Sequence, residues 1–417
     1  MTVCRKAIPS PAPQGYAAMQ PMIAALMQKG DHQGAMSRLH GALAAFGPRA
    51  DLVADMATCC WRLGDEASAI SLMEAVTQDN SPSAEALAKL GAMYLSTGDA
   101  AKARTALEKA LSLRPGFVSA LAALNQIHPY PRDGHRVRMV RKLLKSAGTT
   151  RQERSSLHGI LGRVEEAGGG HALALAHYAR SRALIPGAYD PRKVEAQVKA
   201  QIDRYDPAIG PCPGQDAAGP RIVFIVGMPR SGTTLAESIF LRHPQVASLG
   251  ESHALKECLA QWRRTLEGRD EWGEMAAMGP QRVAWLRSIY LSVATRGLRR
   301  GLSPVLIDKT PLNLFHLGFA RAIFPDCRFI CMSRHPLDVG ISNFGAAFGE
   351  AFVSANPFLK SLDHIGHFSK WAWASILDHQ QKLGVMLRLQ SYRRLVEDME
   401  TQAPALIAHA GLEWDKA

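Results

Sequence analysis

Hydrophobic positions in the first half of the chain recur in a helical pattern with a period of 34 residues. Apolar side chains three and four residues apart predict amphipathic helices, and a glycine between two such segments predicts the turn that joins them. Three sets of positions share the spacing: Gly30, Gly64 and Gly98; Ala35, Ala69 and Ala103; Ala42, Val76 and Ala110. A period of this length indicates stacked helix–turn–helix units.

The unit around Gly98 shows the pattern most fully. Its characteristic positions are Leu87, Leu90, Gly91, Tyr94, Gly98, Ala103, Leu107, Ala110 and Pro115. Gly91 and Ala103 allow two antiparallel helices to approach closely, and Pro115 ends the second helix. This order and spacing resembles the tetratricopeptide repeat, which implies a curved solenoid that binds a peptide or protein on its concave face. An Ala-rich bundle with accidental periodicity is the alternative, and a structural role such as homodimerisation stays open.

Beyond Pro115 the repeat pattern weakens and then returns once, over residues 157–184. The matching positions there are Leu161, Gly162, Ala174 and Tyr178. Residues 206–220 are rich in proline and glycine, which is typical of an interdomain linker. We therefore predict four regions: a flexible N-terminus over 1–15, α-helical repeats over 16–205, a linker over 206–219 and a second domain over 220–417.

From residue 221 onwards the pattern changes to that of buried strands. Three short apolar runs, RIVFIV, SPVLID and CRFICMS, begin at residues 221, 303 and 327. Continuous runs rich in β-branched and aromatic side chains suit strands that are buried on both faces of a parallel sheet. Amphipathic segments separate the runs, so we predict an α/β domain with a parallel sheet.

The first of these strands runs into a glycine-rich turn, VGMPRSGTTL, that is nearly a nucleotide-binding P-loop. Gly227 and Gly232 frame four residues, but Thr233 stands where a nucleoside-triphosphate site has lysine. Such a turn points the free N–H groups of a helix N-terminus at an anion, and Arg230 can form paired hydrogen bonds with phosphate or sulfate. The sequence predicts an anion site. A P-loop kinase is disfavoured, because it would need the lysine and a magnesium-binding carboxylate.

Composition and charge narrow the classes of function. The 417 residues carry a formal net charge of +12, which suits polyanionic ligands or acidic proteins. Nucleic acid is the weaker interpretation, because no zinc-finger spacing, RNA-binding signature or lysine-rich run accompanies the charge.

The seven scattered cysteines form no CxxC pair and the N-terminus has no apolar signal core, so we expect a reduced cytoplasmic protein. No apolar run is long enough to predict a membrane span.

The motif VGMPRSGTTL resembles the 5′-phosphosulfate loop of sulfotransferases that use 3′-phosphoadenosine 5′-phosphosulfate (PAPS). The likeness is greatest to tyrosylprotein sulfotransferases and to bacterial tetratricopeptide-containing sulfotransferases. It implies that the donor is held by Arg230, Ser231, Gly232, Thr233, Thr234 and Leu235. In FICMSRHPLDVGISNF, Arg334 and Ser342 match the pair that holds the 3′-phosphate in that family. An arginine at a strand end and a serine in the following helix can converge on one dianion.

Three further residues match positions of the family's site. Glu251 in ASLGES corresponds to the catalytic glutamate that accepts the acceptor's proton. Lys309 in IDKTP corresponds to a lysine that contacts the transferring sulfuryl group, and its alternative is a structural ion pair with Asp308 or Asp338. Tyr392 is expected near the nucleotide. We also expect partial burial to make Glu251 a better base, and no metal, because arginine, lysine and the helix dipole supply positive charge.

The resemblance covers residues 220–417, with departures that keep a second interpretation open. Arg393 stands where the family has an acid, and Gln380 replaces a tryptophan. The chain stops at Ala417, where relatives continue with a basic stretch, so we expect the domain to be incomplete at its C-terminus. These departures favour a tetratricopeptide adaptor with a degenerate sulfotransferase-like domain, whereas the intact motifs favour an active sulfotransferase.

The acceptor is not defined by the sequence. The repeats and the basic charge favour an acidic protein or peptide, with a glycan, a lipid or a small molecule as alternatives. His253 lies close to Glu251, but a single histidine is more often a packing or surface residue than a base. His364 and His367 have no further ligands at suitable spacing, so no metal site is predicted.

Overall fold

The computed structural model describes residues 14–78, 82–206, 208, 219–295 and 303–415. The chain divides into two compact units, Met1–Pro186 and Gly187–Ala417. The predicted N-terminal segment 1–15 and the predicted linker 206–219 lie almost wholly outside the described residues.

The described part of the first unit is helical. Its helices are α1 (Gln14–Gln28), α2 (His32–Phe46), α3 (Ala50–Arg62), α4 (Glu66–Thr77), α5 (Ala84–Ser96), α6 (Ala100–Leu113), α7 (Val118–Ile127), α8 (His135–Lys145), α9 (Arg151–Ala167) and α10 (His171–Ala183). Successive pairs α3–α4, α5–α6 and α9–α10 pack as helical hairpins. Helix α8 occupies the stretch that interrupts the period.

Turns of one kind join α1 to α2, α3 to α4 and α5 to α6. Each turn places a glycine at positive φ, and the next residue is an aspartate that caps the following helix. The glycines are Gly30 (φ 81°), Gly64 (φ 85°) and Gly98 (φ 85°), and the caps are Asp31, Asp65 and Asp99, which accept hydrogen bonds from the backbone N–H groups of Gly34, Ser68 and Lys102. The 34-residue period predicts the glycines but not the capping aspartates, whose side chains satisfy a free helix N–H.

Close helix packing in the hairpins depends on small residues at the contact. A Cβ atom on Gly91 of α5 would lie 2.6 Å from Cγ of Leu107 on α6. A Cβ on Gly162 of α9 would lie 2.5 Å from the ring of Tyr178 on α10 in the same way. The predicted role of Gly91 in the α5–α6 hairpin is therefore confirmed, and Gly162 has the same role in the α9–α10 hairpin.

The second unit alternates strands and helices. Its helices are α11 (Pro191–Arg204), α12 (Thr233–Phe240), α13 (Ala254–Arg264), α14 (Glu271–Ala276), α15 (Pro280–Ala294), α16 (Leu317–Ile323), α17 (Pro336–Gly345), α18 (Glu350–Ala355), α19 (Leu362–Leu383), α20 (Tyr392–Glu397) and α21 (Met399–His409). Its strands are β1 (Arg221–Gly227), β2 (Val246–Ser248), β3 (Val305–Asp308), β4 (Arg328–Ser333) and β5 (Leu387–Ser391). Short 3-10 helices span Pro311–Phe315, Pro357–Lys360 and Gly384–Met386.

The five strands form one parallel sheet in the order β2-β3-β1-β4-β5. Strand β1 is central, with Phe224 paired to Asp308 of β3 and to Phe329 of β4. The strands predicted from residues 221, 303 and 327 are confirmed as β1, β3 and β4, and β1 is buried from Ile222 onwards. Because all strands run the same way, their carboxyl ends lie at one edge of the sheet, where ligands bind in open α/β folds.

Helix α11 packs with the second unit, although its helical periodicity predicts that it belongs to the repeats. It lies against α19, and Gln201 of α11 bonds both Ser375 (2.7 Å) and His379 (3.2 Å) of that helix. The helix contains no repeat motif, so the sequence offered only its helical periodicity as a guide. The division between units falls after Pro186, before the predicted limit at 205.

Candidate active site

The turn after β1 has a backbone shaped by three residues at positive φ. Gly227 has φ 143°, Arg230 φ 70° and Gly232 φ 102°. A Cβ atom on Gly227 would lie 2.7 Å from the carbonyl oxygen of Met332 on β4, so only glycine fits there. Helix α12 begins immediately after Gly232, which aims its first N–H groups into the turn.

The side chains of the turn divide into buried and exposed groups. Ser231 is 1% exposed, and its hydroxyl has no hydrogen-bond partner among the described residues. Thr233 is also buried, whereas Arg230 and Thr234 are exposed. Leu235 faces the core of the sheet domain. An unpaired buried hydroxyl costs free energy, so Ser231 is a group that a ligand oxygen in the turn would satisfy.

Helix α17 fixes the turn from the side of β4. The Nε atom of Arg230 donates a hydrogen bond to Oγ of Ser342 over 3.0 Å. Asn343, fully buried, donates from Nδ2 to the carbonyl oxygen of Pro229 over 2.8 Å. The motif resemblance pairs Ser342 with Arg334, whereas in the structure Ser342 accepts its hydrogen bond from Arg230. Asn343 was missed, since one asparagine inside a helix carries no pattern.

Arg334 and Tyr392 stack beside the turn. The guanidinium carbon of Arg334 lies 4.6 Å from the centre of the Tyr392 ring, a distance typical of a cation–π contact. Arg334 also pairs with Asp338 over 3.5 Å. A Cβ on Gly232 would lie 2.4 Å from the same ring. The predicted neighbours Arg230, Ser342, Arg334 and Tyr392 are thus gathered around one loop.

A second group of charges lies at the ends of β2 and β3. The Nζ atom of Lys309, which is 8% exposed, lies 2.9 Å from Oε1 of Glu251 and 3.7 Å from Oε2 of Glu237 on α12. Its backbone N–H donates to the carbonyl oxygen of Gly250 over 3.0 Å. Lys309 therefore pairs with these two glutamates, and the predicted alternatives Asp308 and Asp338 are not its ion-pair partners.

The exposure of Glu251 differs from the expectation. Its side chain is 57% exposed, so the expected partial burial is wrong. The carboxylate stands in a loop held by Ser252, whose carbonyl oxygen accepts from Thr310 over 2.9 Å. This position leaves Glu251 accessible to a molecule from solvent while one oxygen is fixed by Lys309.

The residue before the lysine is a buried acid. Burial raises the pKa of Asp308 to about 6, although hydrogen bonds from Thr310 (2.6 Å) and Tyr290 (2.7 Å) act to lower it. Asn313 adds a longer contact of 3.4 Å. This network fixes the end of β3, and it holds the backbone from which Lys309 projects.

Three histidines that were not assigned a catalytic or metal-binding role lie in different surroundings. His253 is exposed at the start of α13. His364 and His367 lie against Tyr189, whose hydroxyl contacts Nδ1 of His367 over 2.8 Å. Within the described residues no cluster of three or more His, Cys, Asp or Glu is arranged to hold a metal ion. None of the described helices has the length and apolarity needed to cross a bilayer.

Together, these observations describe an α/β domain in which a P-loop-like turn follows β1 and a lysine–glutamate pair follows β2 and β3. Residues 220–416 match the sulfotransferase family, and residues 26–94 and 84–117 match the tetratricopeptide repeat. Residues 220–416 therefore belong to a sulfotransferase-family domain, and tetratricopeptide repeats precede it in the chain.

Known proteins resemble parts of the chain. An uncharacterized protein of Aquifex aeolicus is 26% identical over 306 residues, covering 71% of this chain and 40% of that protein. Protein-tyrosine sulfotransferase 1 of Mus musculus is 27% identical over 116 residues, covering 27% of this chain and 31% of that protein. The chain spans less than half the length of both relatives. The solved sulfotransferase STF9 from Mycobacterium avium aligns with 15% identity and a TM-score of 0.32, over 66% of this chain and 83% of that structure.

Proposed function

We propose that the second unit transfers a sulfuryl group from PAPS to an acceptor hydroxyl. The observation that carries this proposal is the pair of Lys309 and Glu251, 2.9 Å apart, at the same sheet edge as the anion-binding turn. A cation and an accessible carboxylate beside an anion site are the groups that such a transfer needs.

In this proposal the turn holds the donor. The N–H groups at the start of α12, the hydroxyls of Ser231, Thr233 and Thr234, and the guanidinium of Arg230 bind the 5′-phosphosulfate. The N-terminus of a helix and an arginine fork both favour a dianion. Arg334 and Ser342 bind the 3′-phosphate, which would compete for Ser342 with Arg230.

Glu251 is the proposed general base and Lys309 the proposed electrostatic catalyst. The acceptor oxygen attacks sulfur while its proton passes to Glu251, and the bridging S–O bond breaks. Its electron pair stays on the phosphate oxygen, whose growing charge Lys309 stabilises. The exposed position of Glu251 supports this role, because a solvent-borne acceptor can reach it.

The acceptor is proposed to be a hydroxyl on a protein or peptide. The repeats support this, since helical repeat surfaces commonly bind extended segments, and several relatives are protein-tyrosine sulfotransferases. The net charge of +12 favours an acidic partner. A cytoplasmic location is part of the same proposal, and the free thiols of Cys59, Cys60, Cys258, Cys327 and Cys331 are compatible with it.

A thermal-shift comparison tests the donor. 3′-Phosphoadenosine 5′-phosphate (PAP) should raise the melting temperature, and ATP with magnesium should not. A shift with ATP and magnesium alone would favour a kinase, and no shift with either would favour an adaptor whose second unit has lost its donor. Mass spectrometry of sulfated products after incubation with PAPS and a lysate would then identify the acceptor.

A further inference from the structure

Lys309 is held between two carboxylates in different surroundings. Glu251 lies in an exposed loop and touches Nζ at 2.9 Å, while Glu237 projects from α12 and lies 3.7 Å away. The side chain of Glu237 is 12% exposed, compared with 57% for Glu251. The more distant partner therefore acts through a less polarisable medium, where a charge is screened less.

Glu237 is itself fixed by a second bond. Its Oε1 atom accepts a hydrogen bond from the hydroxyl of Ser248 at the end of β2. The Oγ atom of Ser248 in turn accepts the backbone N–H of Gly250 over 2.9 Å. Glu237 is thereby tied to the loop that carries Glu251, and it lies one turn into the helix whose N-terminus forms the anion site.

The two partners must behave differently during the proposed reaction. Glu251 is neutralised when it takes the acceptor's proton, so it loses its attraction for Lys309 at the moment when charge grows on the departing phosphate. Among the described residues, Glu237 then remains as the carboxylate within ion-pair distance of Lys309. Asp308, the residue before Lys309 in the chain, also interacts with it electrostatically. A lysine with no remaining carboxylate partner in a buried site is disfavoured in its charged form.

We propose that Glu237 is a positioning residue that keeps Lys309 charged and in place after Glu251 has been protonated. This inference rests on the proposed function. Glu237 touches no reacting atom in the scheme and acts through the lysine. The sequence motif gives no hint of it, because Glu237 is simply the fourth residue after Thr233 on the buried face of α12.

The test uses glutamine as a mimic of a protonated glutamate. Four proteins are compared: the natural chain, Glu251→Gln, Glu237→Gln and the double variant. Glutamine at 237 preserves the shape and can still accept from Ser248. Each protein is acetylated briefly with an amine-reactive ester at pH 8, and the labelling of Lys309 is measured by mass spectrometry against exposed Lys256 in the same digest.

Labelling of Lys309 should stay within about threefold of the natural chain in Glu251→Gln and rise at least about tenfold in the double variant. The proposal is overturned if Glu251→Gln alone frees Lys309 as fully as the double variant does. Glu257→Gln on α13, which removes a neighbouring carboxylate that contacts Gln261 over 2.9 Å, is the matched control and should change nothing. A melting temperature for each variant identifies any that unfold.

Labelling requires neither donor nor acceptor, so its outcome is independent of whether PAPS is the donor. Binding of PAP, measured on the same proteins, reports on the proposed function separately. Where an acceptor is available, Glu237→Gln should lower kcat with little change in the KM for PAPS. A purely structural glutamate would instead reduce the amount of folded protein and leave kcat per folded molecule unchanged.

Discussion

The polar contacts that define the repeat turns of the first unit and those that define the candidate site of the second differ in how far they reach along the chain. In the repeats, the aspartates after each glycine turn cap helices locally, and the bond runs over three residues in the sequence, as between Asp99 and Lys102. In the second unit, the important bonds join residues far apart in the chain, such as Lys309 with Glu251 and Asn343 with Pro229. The first kind of contact stabilises the ends of helices, and the second kind brings the side chains of the candidate site together.

The difference explains where each unit is sensitive. A lost cap removes one hydrogen bond from a structure whose stability is a sum over neighbouring hairpins. A lost partner in the second unit leaves a charge without compensation in a buried place, which costs considerably more. The following substitutions compare the two kinds of interaction, beginning with the largest expected effect.

Glu251→Gln should lower sulfuryl transfer by about 10²–10⁴-fold, because the base is lost while the shape of the loop is kept. Turnover of PAPS with the acceptor identified by mass spectrometry is the measurement. Glu257→Gln on the adjacent helix is the control. Near-normal turnover in a variant that still binds PAP would remove Glu251 from the mechanism.

Arg334→Ala should weaken PAP binding by about 10- to 100-fold, which corresponds to the loss of a charged hydrogen bond. Calorimetry with PAP measures it. Arg393→Ala provides the comparison, since Arg393 is exposed and pairs only with Glu397 over 2.7 Å among the contacts described. Equal affinities for both variants would contradict the assignment of the 3′-phosphate to Arg334.

The contribution of His379 to the stability of the second unit should be lost as the pH falls from 6.5 towards 4. Burial lowers the pKa of His379 to about 4, so the unfolded chain binds this proton before the folded chain does, and the contribution is complete only above this interval. Asp308, whose pKa is raised to about 6, contributes with the opposite sign. His379→Gln should reduce the slope of unfolding free energy by up to about 1.4 kcal/mol per pH unit. Urea unfolding at several pH values measures it, and an unchanged slope would show that other groups govern the acid limb.

Asp99→Ala should destabilise the first unit by about 1 kcal/mol, the usual cost of an N-cap. Asp99→Asn retains the acceptor and serves as the control. Chemical unfolding of the first unit should detect the loss, and PAP binding should be unaffected. A change in PAP affinity would show that the contrast between local caps and long-range site contacts is too simple.

Sequence predicted the repeats and the outline of the site for different reasons. Period and glycine spacing predicted the hairpins, because each hairpin is specified by residues that are close in sequence. Motif resemblance brought Arg230, Arg334, Ser342 and Tyr392 together, and the structure gathers them around one loop. The proposed roles of these residues remain predictions.

The sequence could not predict which side chains that are distant in the chain contact each other. Glu237 and Ser248 are ordinary residues of a helix and a short strand. The parallel pairing of β2 with β3 places Ser248 opposite Ile307, two residues before Lys309, and Glu237 contacts both Ser248 and Lys309. The prediction that Glu251 is partly buried was wrong for the same reason, since the burial of a loop residue depends on the elements packed around the loop. Helix α11 was assigned to the repeats because periodicity predicts a helix but not the element it packs against.

The backbone conformation of Arg230, which has a positive φ of 70°, places its stability and its proposed role in opposition. A non-glycine residue in the left-handed region costs about 1–2 kcal/mol of backbone strain. Glycine at this position would relax the turn but remove the guanidinium that faces Ser342. If Arg230 binds an anion as proposed, selection for thermal stability alone would favour glycine at this position and would weaken anion binding. Stabilised variants would then keep the arginine only if they were also selected for binding.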